Sequence, residues 1–198
     1  MKRAVAASLA ALLLACAGCD KLLPGATSPF QGVDIAGSSI GGELRLADAD
    51  GKARSLADFR GRLVLVIFGY TSCPDVCPTS LATAAEAMRA LGEDASQVQV
   101  LFVTVDPKRD TAAVLKAYVA AFDPRFVALT GDDAAVKKTE QDFKVYASAR
   151  DETAPGIYTV DHSGQMYVMD RAGKARLMLP PGIAAAAMAS DLRVLLRS

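Results

Sequence analysis

Two nearly uninterrupted apolar stretches, LVLVIF at 63–68 and VQVLFVTV at 98–105, constrain what this chain can fold into more than any other feature. A strand with one face in water alternates apolar and polar residues. A strand that is apolar throughout is covered on both faces, as in a parallel sheet flanked by helices. Between the two runs, 79–91 is dominated by Ala, Leu and Met, and Gly92 offers a helix stop. Strand, helix and strand in that order read as a crossover unit. The alternation continues: Asp110 and Thr111 are candidate caps for a helix to Phe122, RFVALT at 125–130 reads as a third strand, and Asp132 or Asp133 opens a helix through Phe143. IYTV, QMYVMD and ARLML then read as strands, with Asp170-Arg171-Ala172-Gly173 turning between the last two, and Gly182 to Leu196 reads as a final helix. Ahead of all this, two short strands flank the turn Asp48-Ala49-Asp50-Gly51.

This order predicts an α/β protein of the thioredoxin-like sandwich type, with an added N-terminal β-hairpin and a β-hairpin near the C-terminal helix. The 198 residues suffice for one core, and 52% hydrophobic with 22% charged residues suits a globular chain. A formal net charge of zero gives no electrostatic ground for nucleic-acid binding.

The N-terminus departs from that composition. Lys2 and Arg3 precede an apolar stretch at 4–15 that ends in LLLACAGC. It is short for a membrane span and the right length for a signal-peptide core. A cysteine just past such a core resembles a lipoprotein signal. Cys16 fits the local pattern better, whereas lipidation of Cys19 leaves an even pair of thiols in the mature domain. The reading adopted is a signal over 1–19 with Cys19 lipidated, a Gly/Ser/Pro-rich tether over 20–40 and the folded domain over 41–198. Cys16 as the lipidated residue, an ordinary cleaved signal and an uncleaved anchor stay open. Every one of these puts the domain outside the cytoplasm, where disulfides form.

The segment FGYTSCPDVCP at 68–78 carries Cys73 and Cys77 between a buried strand and a helix. The carboxyl end of a strand in an open sheet is where sites form. A helix N-terminus favours the thiolate, which is both nucleophile and metal ligand. At i and i+4 of a helical turn the Cβ atoms stand roughly 5–6 Å apart. Two sulfurs on one metal need to be no more than about 4.6 Å apart. A disulfide needs Cβ atoms near about 3.8 Å. The spacing therefore permits both states and mildly favours a metal clamp. A plain stabilising disulfide is the simplest alternative. The chain has one histidine, His162, in YTVDHSG; a lone histidine is more often a surface or satisfied core residue than a ligand. Two thiolates and an imidazole make a soft donor set suited to Cu(I) and able to hold Cu(II). Asp161 is a candidate to orient the ring.

The stretches DFRGRLVLVIFGYTSCPDVCPTSL, VLFVTVDPKRDT, FVALTG and YTVDHSG, in that order over about 58–164, resemble the Sco/SenC family of copper-binding, thioredoxin-like proteins. The resemblance implies a domain tethered by a helix or a lipid and facing the periplasm or intermembrane space; with the lipoprotein-like N-terminus the expectation is a lipid anchor on the periplasmic side of the bacterial inner membrane. It implies one copper held by Cys73, Cys77 and His162. It further implies service in assembling the dinuclear copper centre of cytochrome c oxidase, with that enzyme's copper-centre subunit as partner alongside other periplasmic copper carriers and thiol reductants. The family acts by copper delivery, by reducing the target's cysteines, or both.

Two functions therefore compete. In a metallochaperone the three side chains carry copper. In a thiol–disulfide oxidoreductase Cys73 attacks a partner disulfide, Cys77 resolves the mixed disulfide and His162 is dispensable. A thioredoxin-like peroxidase, with Thr71 and Arg109 as donors, and a copper sensor are weaker readings. Asp75 reads as a helix N-terminal carboxylate, Asp106 to Thr111 as a structural turn in which Lys108 and Arg109 are alternatively partner contacts, and Met166, Met169 and Met178 as core rather than copper ligands.

Overall fold

The computed structural model describes residues 28–198. The signal segment, Cys16 and Cys19 lie outside the described residues. Among the described residues, ten strands and four α-helices follow in the order β1 (Val33–Asp34), β2 (Leu46–Asp48), β3 (Ala53–Arg54), β4 (Leu63–Gly69), α1 (Val76–Leu91), β5 (Val98–Thr104), α2 (Ala112–Ala120), β6 (Val127–Thr130), α3 (Asp133–Phe143), β7 (Ala147–Ala149), β8 (Val160–His162), β9 (Met166–Met169), β10 (Ala175–Leu179) and α4 (Ala185–Leu196). Eight strands form one mixed sheet in the order β1-β10-β9-β4-β5-β6-β2-β3, while β7 and β8 pair separately.

The two apolar runs are the central strands. β4 and β5 are parallel with Leu63 opposite Val98 and Gly69 opposite Thr104, and every residue of both is buried. Parallel β6 extends the sheet on one side, and antiparallel β9 on the other. Helices α1 and α4 pack on each other, and α2 packs on β6. Phe68, Phe143 and Tyr167 meet with ring centroids 5.2–6.4 Å apart, tying β4 and β9 to the end of α3. Met166 and Met169 are buried in this core and Met178 is half-buried, in accord with packing roles.

Two hairpins share one turn chemistry. Asp48 accepts from the N–H groups of Asp50 and Lys52 and from Arg54, with Gly51 at φ 77°. Asp170 accepts from the N–H groups of Ala172 and Lys174, with Gly173 at φ 79°. A short carboxylate closes its own turn and glycine supplies the left-handed residue that follows.

Several boundaries differ from the sequence expectation. Within the stretch read as tether, Phe30 is buried and β1 pairs with β10, because the carboxyl group of buried Asp191 accepts the N–H groups of Gln31 and Gly32, both at 2.8 Å. Of the two candidate caps Asp110 and Thr111 the structure uses Thr111, and the helix expected to run to Phe122 spans Ala112–Ala120. Asp110 is drawn away into a buried cluster. The strand expected at 157–160 begins only at Val160, since residues 153–157 close a turn of their own through an Ala154–Ile157 bridge. The last helix starts at Ala185 because Gly182 sits at φ 77°. Among the described residues no helix is long and apolar enough to cross a membrane.

Candidate metal centre

The parallel pairing of β4 and β5 brings their carboxyl ends together, and the Val105 N–H donates to the Gly69 carbonyl at 2.9 Å. The loops that follow, 70–75 and 105–111, therefore lie side by side at one edge of the sheet. Cys73 is half-buried in the first loop, and its N–H donates to the Tyr70 carbonyl at 3.2 Å. Cys77 is buried in the first turn of α1. The pair straddles the helix start rather than lying within one helical turn. Pro78 is tolerated there because first-turn N–H groups have no partner inside the helix. Asp75 stands at the N-cap, yet its side chain makes no capping bond.

His162 comes from β8, outside the main sheet. Its Nδ1 lies 3.0 Å from the Ser163 carbonyl and its Nε2 lies 3.3 Å from Cys77 Sγ. A carbonyl can only accept, so Nδ1 carries the proton and Nε2 presents its lone pair to the sulfur. Burial pushes the Cys77 thiol up, outweighing a backbone hydrogen bond with Tyr70, so the S–H is available to donate to Nε2. Tyr70 meets the imidazole edge-on at 5.8 Å.

One donor atom from each of Cys73, Cys77 and His162 lies within 4.8 Å of the other two. Two metal–sulfur bonds of about 2.3 Å span at most about 4.6 Å, so closing the group on one ion asks for shifts of a few tenths of an ångström. Both cysteines are free thiols. The arrangement brings together the three residues that the sequence singled out, although they come from a loop, a helix and a separate strand.

Other expected roles fall elsewhere. Asp161 pairs with Arg150 at 2.7 Å, and the ring is oriented by the Ser163 carbonyl instead. A backbone group of this kind leaves no mark in a sequence. Thr71 and Thr104 turn their hydroxyls to Asp110 at 2.5 and 2.6 Å, and the Thr71 N–H donates to it as well. Asp110 is thus the anchor of the loop that leads into Cys73. Burial raises its pKa, against the hydrogen bonds from Thr104 and Thr71. Lys108 is exposed, whereas Arg109 is turned inward onto Asp106 and Tyr158. Gly69 was not singled out by sequence, yet a Cβ there would stand 2.5 Å from Cys77 Sγ.

The SCO1/SenC family model matches residues 33–197. The SCO2-like protein of Rickettsia felis is 40% identical over 136 residues, 68% of this chain and 66% of that protein's length. Bradyrhizobium japonicum ScoI, solved with copper bound, superposes with a TM-score of 0.73 at 41% identity, covering 79% of this chain and 99% of that one. Apo Sco1 of Thermus thermophilus gives a TM-score of 0.77 at 34% identity, covering 86% and 99%. With the family model matched over nearly all of the described residues and the fold shared with solved relatives of 34–41% identity, the chain belongs to the SCO1/SenC family.

Proposed function

We propose that this protein is a copper carrier. Cys73, Cys77 and His162 hold one copper ion, and the protein serves assembly of the dinuclear copper centre of cytochrome c oxidase from the periplasmic side of a membrane, anchored by lipid. The observation that carries the reading is the convergence of two thiols and an Nε2 lone pair within 4.8 Å at the rim of the sheet. The donor chemistry suits copper, and copper is the metal bound by the related B. japonicum protein. The asymmetry of the pair suits a carrier. Half-buried Cys73 is the thiolate that an incoming partner ligand displaces first, and buried Cys77 with His162 retains the ion until exchange is complete.

The same asymmetry supports a second activity, reduction of the target's disulfide. The Cys73 thiolate attacks one sulfur of the partner disulfide and releases the other as a thiolate. Cys77 gives its proton to the partner thiolate just released, attacks Cys73 Sγ, releases the partner's second thiolate and leaves a Cys73–Cys77 disulfide. The partner gains two electrons and the pair loses two, so this activity and copper carriage exclude one another at any instant.

Anaerobic Cu(I) titration of the reduced protein against a competing chelator tests the reading. One tight equivalent is expected. It should be lost in Cys73→Ser/Cys77→Ser and weakened at least about tenfold in His162→Ala. Weak, nonstoichiometric binding indifferent to His162 would sink the carrier. Reductase activity that survives His162→Ala would then favour the second activity as the main one.

A further inference from the structure

His162 stands on a weak support. β7 and β8 are three residues each and pair only with one another. A lone two-stranded ribbon is marginal in water. Val160 is buried in the core, with Ala147 packed against it and accepting from Lys137 at 3.5 Å; the polar hold on the stretch leading into His162 centres on Arg109. The guanidinium stacks on the Tyr158 ring with Cζ 3.6 Å from the centroid, and Nη1 donates to the Tyr158 carbonyl at 2.7 Å. Nε donates to Asp106 at 2.5 Å, and the same carboxylate accepts the Tyr158 hydroxyl at 2.8 Å. On its other side the guanidinium lies 5.5 Å from the Tyr70 ring. The Tyr70 hydroxyl accepts from the Val160 N–H at 3.2 Å, and its ring meets His162. Residues two to four positions before His162 are thereby pinned to the loops that carry the cysteines and Asp110. The pinning is not free of cost, since Arg109 Nη2 is buried with no partner among the described residues.

We propose that Arg109 is the positioning residue for the third donor. It locks the β7–β8 arm onto the cysteine-bearing floor and so sets where His162 Nε2 stands. Only a planar fork can stack on Tyr158, reach its carbonyl and hold Asp106 at once; a lysine ammonium keeps the charge but cannot make all three contacts. The consequence for copper rests on the carrier reading, whereas the effect on the arm does not.

The test has one readout on metal-free protein and one on copper. In metal-free Arg109→Lys, amide exchange at Arg150, Val160 and Ser163, whose N–H groups hold the arm, should quicken about tenfold while Val66 and Ile67 in β4 keep their protection. Tyr158→Leu, which removes the stacked ring and leaves the arginine, should reproduce that pattern and stands in if the lysine variant does not fold. Cu(I) affinity should fall about tenfold in Arg109→Lys. In a His162→Ala background the same substitution should change affinity less than about twofold, since a residue acting only through the imidazole has nothing left to act on. Unchanged exchange at the three amides overturns the proposal, as does an equal loss of affinity in both backgrounds. A wild-type protein that binds no copper sinks the carrier reading, and the exchange measurement still decides the positioning role.

Discussion

Gly69→Ala is a small substitution with a large expected effect on the site. Gly69 ends β4, and its backbone lies against the cysteine that opens α1. A Cβ built there meets Cys77 Sγ at 2.5 Å, Phe102 Cε2 at 2.9 Å and Phe102 Cζ at 3.1 Å. Phe102 is fully buried and its ring is packed on Tyr118 at 5.6 Å, so it has little room to yield. Ordinary contact begins near 3.4 Å, and the sulfur must therefore retreat by about 0.9 Å, the difference from 2.5 Å. Overpacking of a close-packed core costs about 1–3 kcal/mol. A metal site tolerates only about 0.2 Å in its bond lengths, so a displacement several times larger must be undone by strain or by loss of a ligand. Urea unfolding of the metal-free protein should show the stability loss, and Cu(I) competition should show affinity reduced at least tenfold, about 1.4 kcal/mol or more. Val66→Ala, in the same strand but away from the sulfur, should lower stability and leave the affinity of the folded protein unchanged. A Gly69→Ala protein as stable as wild type with the same Cu(I) affinity would refute the claim that Cys77 is held against this backbone.

Two further expectations concern the frame around the site. Asp191→Ala leaves the buried N–H of Gly32 and the N–H of Gln31 without their acceptor, so stability should fall by about 1–3 kcal/mol and exchange at 31–34 should quicken before that of β4; protection at 31–34 equal to wild type would contradict this. Hydrogen bonds from the Arg125 side chain hold the Asp123 carboxyl below the usual carboxylate range, with burial opposing and the Arg125 N–H assisting. Its contribution to stability is therefore fully present above the unfolded value near about pH 3.9 and is lost as pH falls through the lower folded value. The stability gap between wild type and Asp123→Asn should be flat from pH 5 to pH 8 by urea titration, on the order of that window, and should narrow below pH 4. A gap that persists unchanged into strong acid would exclude the carboxylate as its source.

The parts of this protein legible in its sequence are those that depend on local or strongly periodic signals. β4 and β5 announce themselves because a strand covered on both faces must be apolar throughout. Both hairpin turns follow from an aspartate and a glycine at fixed offsets. Scarcity of cysteine and histidine kept the candidate donors few, and the resemblance of GYTSCPDVCP and YTVDHSG to the SCO1/SenC family named Cys73, Cys77 and His162 as the set. Tertiary structure alone decided the rest, for one physical reason: each remaining role depends on a partner distant in sequence. β1 reaches the sheet edge because Asp191 receives the N–H groups of Gln31, 160 residues away, and of Gly32 just ahead of the strand. Asp110 holds the cysteine loop through Thr71, 39 residues before it, rather than capping the nearest helix. His162 takes its place from Arg109, which grips Tyr158 across 49 residues. A residue type and its neighbours specify a turn, a cap or a buried strand; which sulfur faces which nitrogen is set only when the sheet has brought their loops together.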